Sequence, residues 1–406
     1  MTRRAKTALL VGVVIALALM GWYGFGADND TTLVNNVAGG SNPSRGLSGP
    51  GFGASNPAAS GGGPYSATGL KSRQEQLALW QGRHERAEQI FASYRDATRY
   101  PYDSRPIAEH PDQVHPFAPI AEELKLRNAN GEEVKGMRLR TTQERVFLSG
   151  TESVKFTVSV RDENIRPLPL VIRSARAQSI PDSRTPIKLV QASVVFSDDG
   201  TGADDASGDG TYSGRLTPVS QGFQNYGGTI RLLVELTADA EQGVAHFEVV
   251  YTPDVPATWA GVREALEAGS LNFYLKAQVR TAGRYVVSAR VDDANGVPFA
   301  LLQFNDEVAA GIREFKLQVF GALVLDKSPA FPLRLRDVDG FLLIPDKFPD
   351  RSTMARQPGV VHVSAIYARS RFSAAEWNSE ERQRYLEEYG KDAETARRQV
   401  EELSGR

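Results

Sequence analysis

Hydrophobic positions change period along this chain and divide it into unlike parts. From Ala8 to Ala27 there is no charge at all, and the run ALLVGVVIALALMGWYGFGA is long enough as a helix to span about 30 Å. From residue 28 to 69 the periodicity vanishes in favour of Gly, Ser, Asn and Pro. Leu77, Trp80, His84, Ala87, Phe91 and Tyr94 then recur at alternating steps of three and four, behind a capping box of Ser72 and Glu75. That pattern predicts an amphipathic helix over 70–97. Five prolines between Thr98 and Ile120 predict a connector without regular structure over 98–121.

From about Glu122 the period becomes two. Val154–Val160, Ile230–Leu236 and Ala245–Tyr251 alternate apolar with polar residues, and Leu168–Ile172, Ile187–Val190 and Ala192–Phe196 are shorter runs of the same kind. Turn residues separate them, which predicts an antiparallel sandwich of immunoglobulin type over 122–255. Trp259 to about Ala268 reads as a short helical crossover. A second series follows: Leu271–Val279, Gly283–Val291, Phe299–Leu302, Arg313–Phe320, Phe331–Leu335 and Val360–Tyr367, with Asp293-Ala294-Asn295-Gly296 as a turn. It predicts a second sandwich over 256–372, with Phe273, Tyr285, Phe315 and Phe320 in its core. Ser373 and Glu376 form another capping box, and Leu386, Tyr389, Ala393, Ala396, Val400 and Leu403 repeat the helical stripe to the end of a tail over 373–406. Gly390 is the place where that tail could divide into two helices. The two stripes could pair with each other, dock on the sandwiches, or join copies of the chain. The fold class expected is therefore mainly β, with two tandem immunoglobulin-like sandwiches flanked by terminal helices.

Charge refines the N-terminal reading. Arg3, Arg4 and Lys6 precede the apolar run and Asp28 follows it, which orients residues 1–27 as an anchor with its N-terminus in the cytoplasm. A cleaved signal peptide competes, but a cut after Ala27 would place Phe25 at its −3 position, which makes a poor site. Both readings put the body outside the cytoplasm; the anchor reading gives a single-pass protein of the cytoplasmic membrane with its body in the periplasm or beyond. Residues 28–69 bury too little apolar surface to fold and would act as a disordered tether of roughly 35 Å mean span. Across all 406 residues the formal charge is −2, which gives no electrostatic footprint for nucleic acid. The chain has no cysteine, so disulfides, thiolate metal sites and cysteine nucleophiles are excluded.

Candidate chemistry concentrates in one stretch. Residues 198–212, DDGTGADDASGDGTY, hold five aspartates and four glycines. A hard cation such as Ca²⁺ asks for many oxygens at roughly 2.3–2.6 Å and a backbone free to wrap around it. The ligand set expected is Asp198, Asp199, Asp204 and Asp209, with carbonyls near Thr201 and Gly202. A solvated turn uses the same two residue types, so both readings stand. Glu109, His110, Asp112 and His115 form a second group of metal-capable side chains in the connector, without regular structure to fix their geometry. His84, His110, His115, His246 and His362 are scattered, and neither G-x-S-x-G nor H-E-x-x-H occurs, so no enzyme is expected. Paired carboxylates of a carbohydrate-active hydrolase are the enzymatic alternative.

Asp198-Asp199-Gly200, Asp204 and Gly208-Asp209-Gly210-Thr211-Tyr212 resemble the D-D-G…D-x-x-x-G-D-G-x-Y signature of bacterial choice-of-anchor X domain proteins. Gly283-Arg284-Tyr285 before the 293–296 turn, and Phe315-Lys316-Leu317-Gln318-Val319-Phe320-Gly321, match the rhythm of that family's second half. The resemblance spans about Gln143 to Tyr367 and implies an exported, envelope-associated protein with no assigned activity. Its partners would be other envelope proteins and the membrane, with a homo-oligomer through the terminal helices as an option. An accessory subunit of a secretion or pilus-type assembly is the runner-up.

Overall fold

The computed structural model describes residues 67–181 and 189–405. The anchor and tether segments expected over 1–27 and 28–69 lie almost wholly outside them, and no described helix is long and apolar enough to cross a membrane. The described chain is mainly β. It opens with α1 (Ala67–Ala97) and β1 (Ser104–Pro106), then builds ten strands: β2 (Ile120–Arg127), β3 (Glu133–Gln143), β4 (Phe147–Ser149), β5 (Val154–Asp162), β6 (Leu170–Ser179), β7 (Gln191–Ser193), β8 (Phe196–Ser197), β9 (Tyr212–Leu216), β10 (Gly228–Ala238) and β11 (Glu241–Thr252). The second β series comprises β12 (Ala257–Glu267), β13 (Ser270–Val279), β14 (Gly283–Asp292), β15 (Pro298–Val308) and β16 (Gly311–Val319), then α2 (Gly321–Lys327), β17 (Arg334–Leu343), β18 (Arg351–Thr353) and β19 (Gln357–Val363). The helix α3 (Glu380–Ser404) ends it.

In the first lobe, β7-β6-β10-β11 and β2-β3-β5-β9-β8 are two halves of one sheet, joined at the single Arg127–Val244 bridge. The halves face each other across a core in which the Phe156 and Phe247 rings lie 4.7 Å apart. At the corner, Leu126 occupies the space where any side chain on Gly243 would stand, so only glycine lets the halves close there. In the second lobe a three-stranded sheet, β12-β13-β16, covers a sheet of order β1-β15-β14-β17-β18 in which β19 also pairs with β17. Phe315 is fully buried between them, with Trp259, Tyr285 and Phe304 at ring-centroid distances of 5.7, 5.6 and 5.2 Å. Phe273 and Tyr285 are equally buried, as expected of core aromatics, and Phe320 is half-buried.

Three local expectations are corrected. Residues 257–267 form strand β12, not a helical crossover; β13 pairs with it along its length, and ladder pairing outweighs the helix propensity of Arg263–Glu267. The C-terminal helix starts at Glu380 rather than at Ser373. Ser379 caps it by accepting the Arg382 N–H at 3.1 Å, whereas Ser373 spends its own N–H on the Gly269 carbonyl. Gly390 does not divide the helix. It lies inside the continuous helix beside the Phe91 ring, where an added Cβ would stand at an ordinary contact distance of 3.7 Å. The proline connector also carries more order than its composition suggests, since Ser104–Pro106 pair with Ala300–Leu302 as an edge strand of the second lobe. Of the run Ile187–Val190, the last two residues lie outside any strand and the first two outside the described residues.

The helical stripes meet each other. Leu77, Trp80, His84, Ala87, Phe91 and Tyr94 are all half-buried on α1, and the Tyr94 ring meets Tyr385 and Tyr389 of α3 at a tilt and edge-on, at 5.7 and 5.2 Å. Arg73 Nε donates to the Leu403 carbonyl and Arg382 Nε to Thr98 Oγ1, so the pair is antiparallel from end to end. Its base is tied to the second lobe where Arg99 and Tyr100 both donate to the Asp326 carboxylate. Burial alone would raise that carboxyl, but the two donors outweigh it and hold it below its ordinary 3.8.

Phe315→Ala should cost about 3–5 kcal/mol of unfolding free energy, the usual range for an emptied aromatic core site, read from urea midpoints at constant slope. For Asp326 the sign follows from its lowered folded pKa: the tie contributes fully above the ordinary carboxylate range and is lost as pH falls through and below it. Asp326→Asn should therefore be less stable than the parent at neutral pH, with the difference closing on acidification.

Candidate functional site

The Asp/Gly stretch is the loop between β8 and β9, at an edge of the first lobe. Gly200, Gly202, Gly208 and Gly210 all have positive φ, between 64° and 79°, which accounts for the four glycines by backbone conformation alone. The aspartates supply acceptors for the N–H groups that this winding leaves out of any ladder. Asp198 spans the loop, its two carboxylate oxygens accepting from Asp209 N–H at 3.1 Å and Gly210 N–H at 3.0 Å. Asp204, only 7% exposed, accepts from Gly200 N–H at 2.7 Å and from the Ser213 hydroxyl at 3.1 Å. Asp199 and Asp209 close short turns onto Thr201 and Thr211, and Asp205 receives Lys155 Nζ at 2.6 Å. The hydroxyl and amide of Thr201 hold the exposed Asp199 carboxyl below its usual range. Beyond the loop, Phe196 lies across Gly214 where even a methyl group would clash, which fixes how β8 sits on β9.

Among the described residues no three Asp, Glu or His side chains are grouped as a metal would require. Asp198 and Asp204 already face N–H donors. The same holds for Glu109, His110, Asp112 and His115: Glu109 meets Arg105 and Asp112 meets Gln113, and the four make no metal group.

Two charged clusters carry no sequence motif. On the second lobe, Asp292 is 1% exposed and lies 2.9 Å from Arg290 Nε and 3.0 Å from Arg336 Nη1, while Arg290 also reaches Asp337 at 3.3 Å. Strand alternation places residues 290 and 292 on one face, but the partners come from β17, which no local pattern reveals. Glu264 on β12 accepts from the Ala365 N–H and the Tyr367 hydroxyl at 2.7 and 2.9 Å and meets His362 Nε2 at 3.0 Å. Burial first, and then Glu264, push the Tyr367 hydroxyl pKa up. With three partners on one carboxylate, this cluster clasps β12 to the end of β19 and the chain just after it. A cleft of about 280 Å³ lies where the lobes meet, lined by Pro253, Asp254, Pro256, Leu342, Lys347 and Phe348 among others.

No family model matches this chain, and no curated protein matches it either. Among solved structures, a DUF4785 family protein from Legionella pneumophila is similar at 15% identity and a TM-score of 0.38, over 56% of this chain and 57% of that one. Latent PorU from Porphyromonas gingivalis (8% identity) and domains A168–A170 of titin (10% identity) each align with 60% of this chain at a TM-score of 0.17, covering 34% and 88% of theirs. The chain thus spans little more than half the length of the first of these structures. Likenesses this distant leave the site to be argued from its own geometry.

Asp204→Ala orphans the buried Ser213 hydroxyl and the partly buried Gly200 N–H, and should cost about 1–3 kcal/mol. Asp205→Ala, at a fully exposed position, should leave the urea midpoint where it was. Equal losses in the two variants would contradict the assignment of Asp204 as the inner brace.

Proposed function

We propose that this chain is a non-enzymatic, membrane-anchored envelope protein whose two lobes are immunoglobulin-like sandwiches serving as an interaction or structural module. The single observation that supports it best is where the side-chain chemistry goes. The acidic loop, the Asp292 network and the Glu264 clasp each spend their polar atoms on holding backbone or neighbouring charges, with little left to act on a substrate. The uncharged run Ala8–Ala27 behind Arg3, Arg4 and Lys6 motivates the anchor, and the body would then stand in the periplasm or outside the cell. The resemblance of the 198–212 motif to choice-of-anchor X domains favours the same location.

Calcium at Asp198, Asp199, Asp204, Asp209 and the Thr201 carbonyl is a second reading, favoured by the exposed oxygens of Asp199 and Asp209 on the loop surface. A metal there would have to displace or share the N–H donors now facing Asp198 and Asp204. An accessory role in a secretion or pilus-type assembly is a narrower form of the main proposal; since the stripes of α1 and α3 pair with each other, copies would join through the outward faces of the two helices.

Cross-linking followed by purification of the full-length protein from its native membrane should recover other envelope proteins in fixed proportion. Recovery in the soluble cytoplasmic fraction, without partners, would contradict the proposal. Melting curves in 10 mM Ca²⁺ and in chelator should coincide if hydrogen bonds alone hold the loop. A bound ion with a dissociation constant near 0.1 mM would instead add about 2.7 kcal/mol, enough to separate the curves by several degrees.

A further inference from the structure

The chain passes between the lobes twice, through residues 107–119 on the way from β1 to β2 and through residues 253–256 on the way from β11 to β12. Such a joint could be a hinge or a weld, and its polar chemistry decides which. Strand β4 of the first lobe lies beside β18 of the second. Ser149 on β4 accepts both the Thr353 N–H at 2.8 Å and the Thr353 hydroxyl at 2.9 Å, and shares a 2.6 Å hydrogen bond with Thr252. Ser352 donates to the Asp254 carbonyl at 2.6 Å, closing the chain of hydroxyls onto the linker itself. All of these groups but Thr353 are 8% exposed or less, or belong to backbone, so breaking the chain strands polar atoms away from water.

Two further contacts cross the joint. The Arg351 guanidinium lies 4.6 Å from the Phe147 ring of the first lobe and 5.1 Å from the Phe341 ring of the second. Val255 in the linker presses on Gly150, whose positive φ of 56° and missing Cβ admit it; an added methyl group would stand 2.5 Å from Val255 Cγ2. Glu152 accepts the Ser149 N–H and binds Arg145 at 2.8 Å, which stiffens the first-lobe side of the seam.

We propose that the two lobes form one rigid body latched at Ser149, so that the cleft between them has a set width and a load on one lobe passes to the other without bending. This holds whatever the lobes bind. The absence of native cysteine makes a direct test clean. Glu163→Cys and Glu307→Cys, exposed positions on the first and second lobes, are introduced into the full chain in detergent and spin-labelled for distance measurement by pulsed electron resonance. One narrow distance distribution is expected. The same pair carrying Ser149→Ala should broaden and shift; Thr353→Val, which keeps the side-chain shape, gives the same reading should Ser149→Ala not fold. A broad or two-peaked distribution in the otherwise native chain would overturn the proposal, and so would latch variants that stay folded and as narrow as the parent.

Discussion

Backbone N–H groups that leave a ladder must find another acceptor, and in this protein carboxylate and amide side chains supply it again and again. Asp162 takes the N–H groups of Asn164 and Arg166, and Asp293 those of Asn295 and Val297. Asn128 takes those of Asn130 and Glu132, and Asp337 that of Gly359. The 198–212 loop is the most extended use of this device. Its acidity follows from how many amides it exposes by winding through four left-handed glycines. Without those acceptors, the turn amides would fall to water and the connections between strands would lose the bonds that fix their shape.

With no cysteine in the chain, the cores hold the lobes together without disulfides. Each lobe has its own apolar interior, one drawn from residues 126–251 and the other from 257–372. The second is completed only by segments from far along the chain. β1 arrives from before the first lobe to extend its sheet, and α1 and α3 pair at its base through Arg99, Asp326 and Arg382. Both ends of the described chain are thus fastened to the same lobe, while the first lobe is an insertion held at two crossings and a hydroxyl latch.

What was legible in the sequence was what local periodicity controls. The alternation in 154–160, 230–236 and 271–279 became strands, the Asp293–Gly296 turn formed as read, and the matching stripes of α1 and α3 found each other. Periodicity failed where partners were remote. Arg263–Glu267 favours helix on its own but lies in a strand because β13 is beside it, and β1 is a strand only because β15 offers an edge. The capping box at Ser373 was outcompeted by a backbone bond to Gly269, nothing in its own neighbourhood foretelling it. For the acidic loop, composition correctly marked an unusual segment. It could not tell whether the oxygens face an ion or the loop's own amides, because both need the same residues at the same density.

Amide exchange of the loop separates those two cases most directly. In chelator, with no divalent ion present, the amides of Gly200, Asp209 and Gly210 should exchange far more slowly than those of an unstructured peptide, because Asp204 and Asp198 hold them. Exchange at unprotected rates in chelator, with protection appearing only when Ca²⁺ is added, would contradict the account that the loop is braced from within.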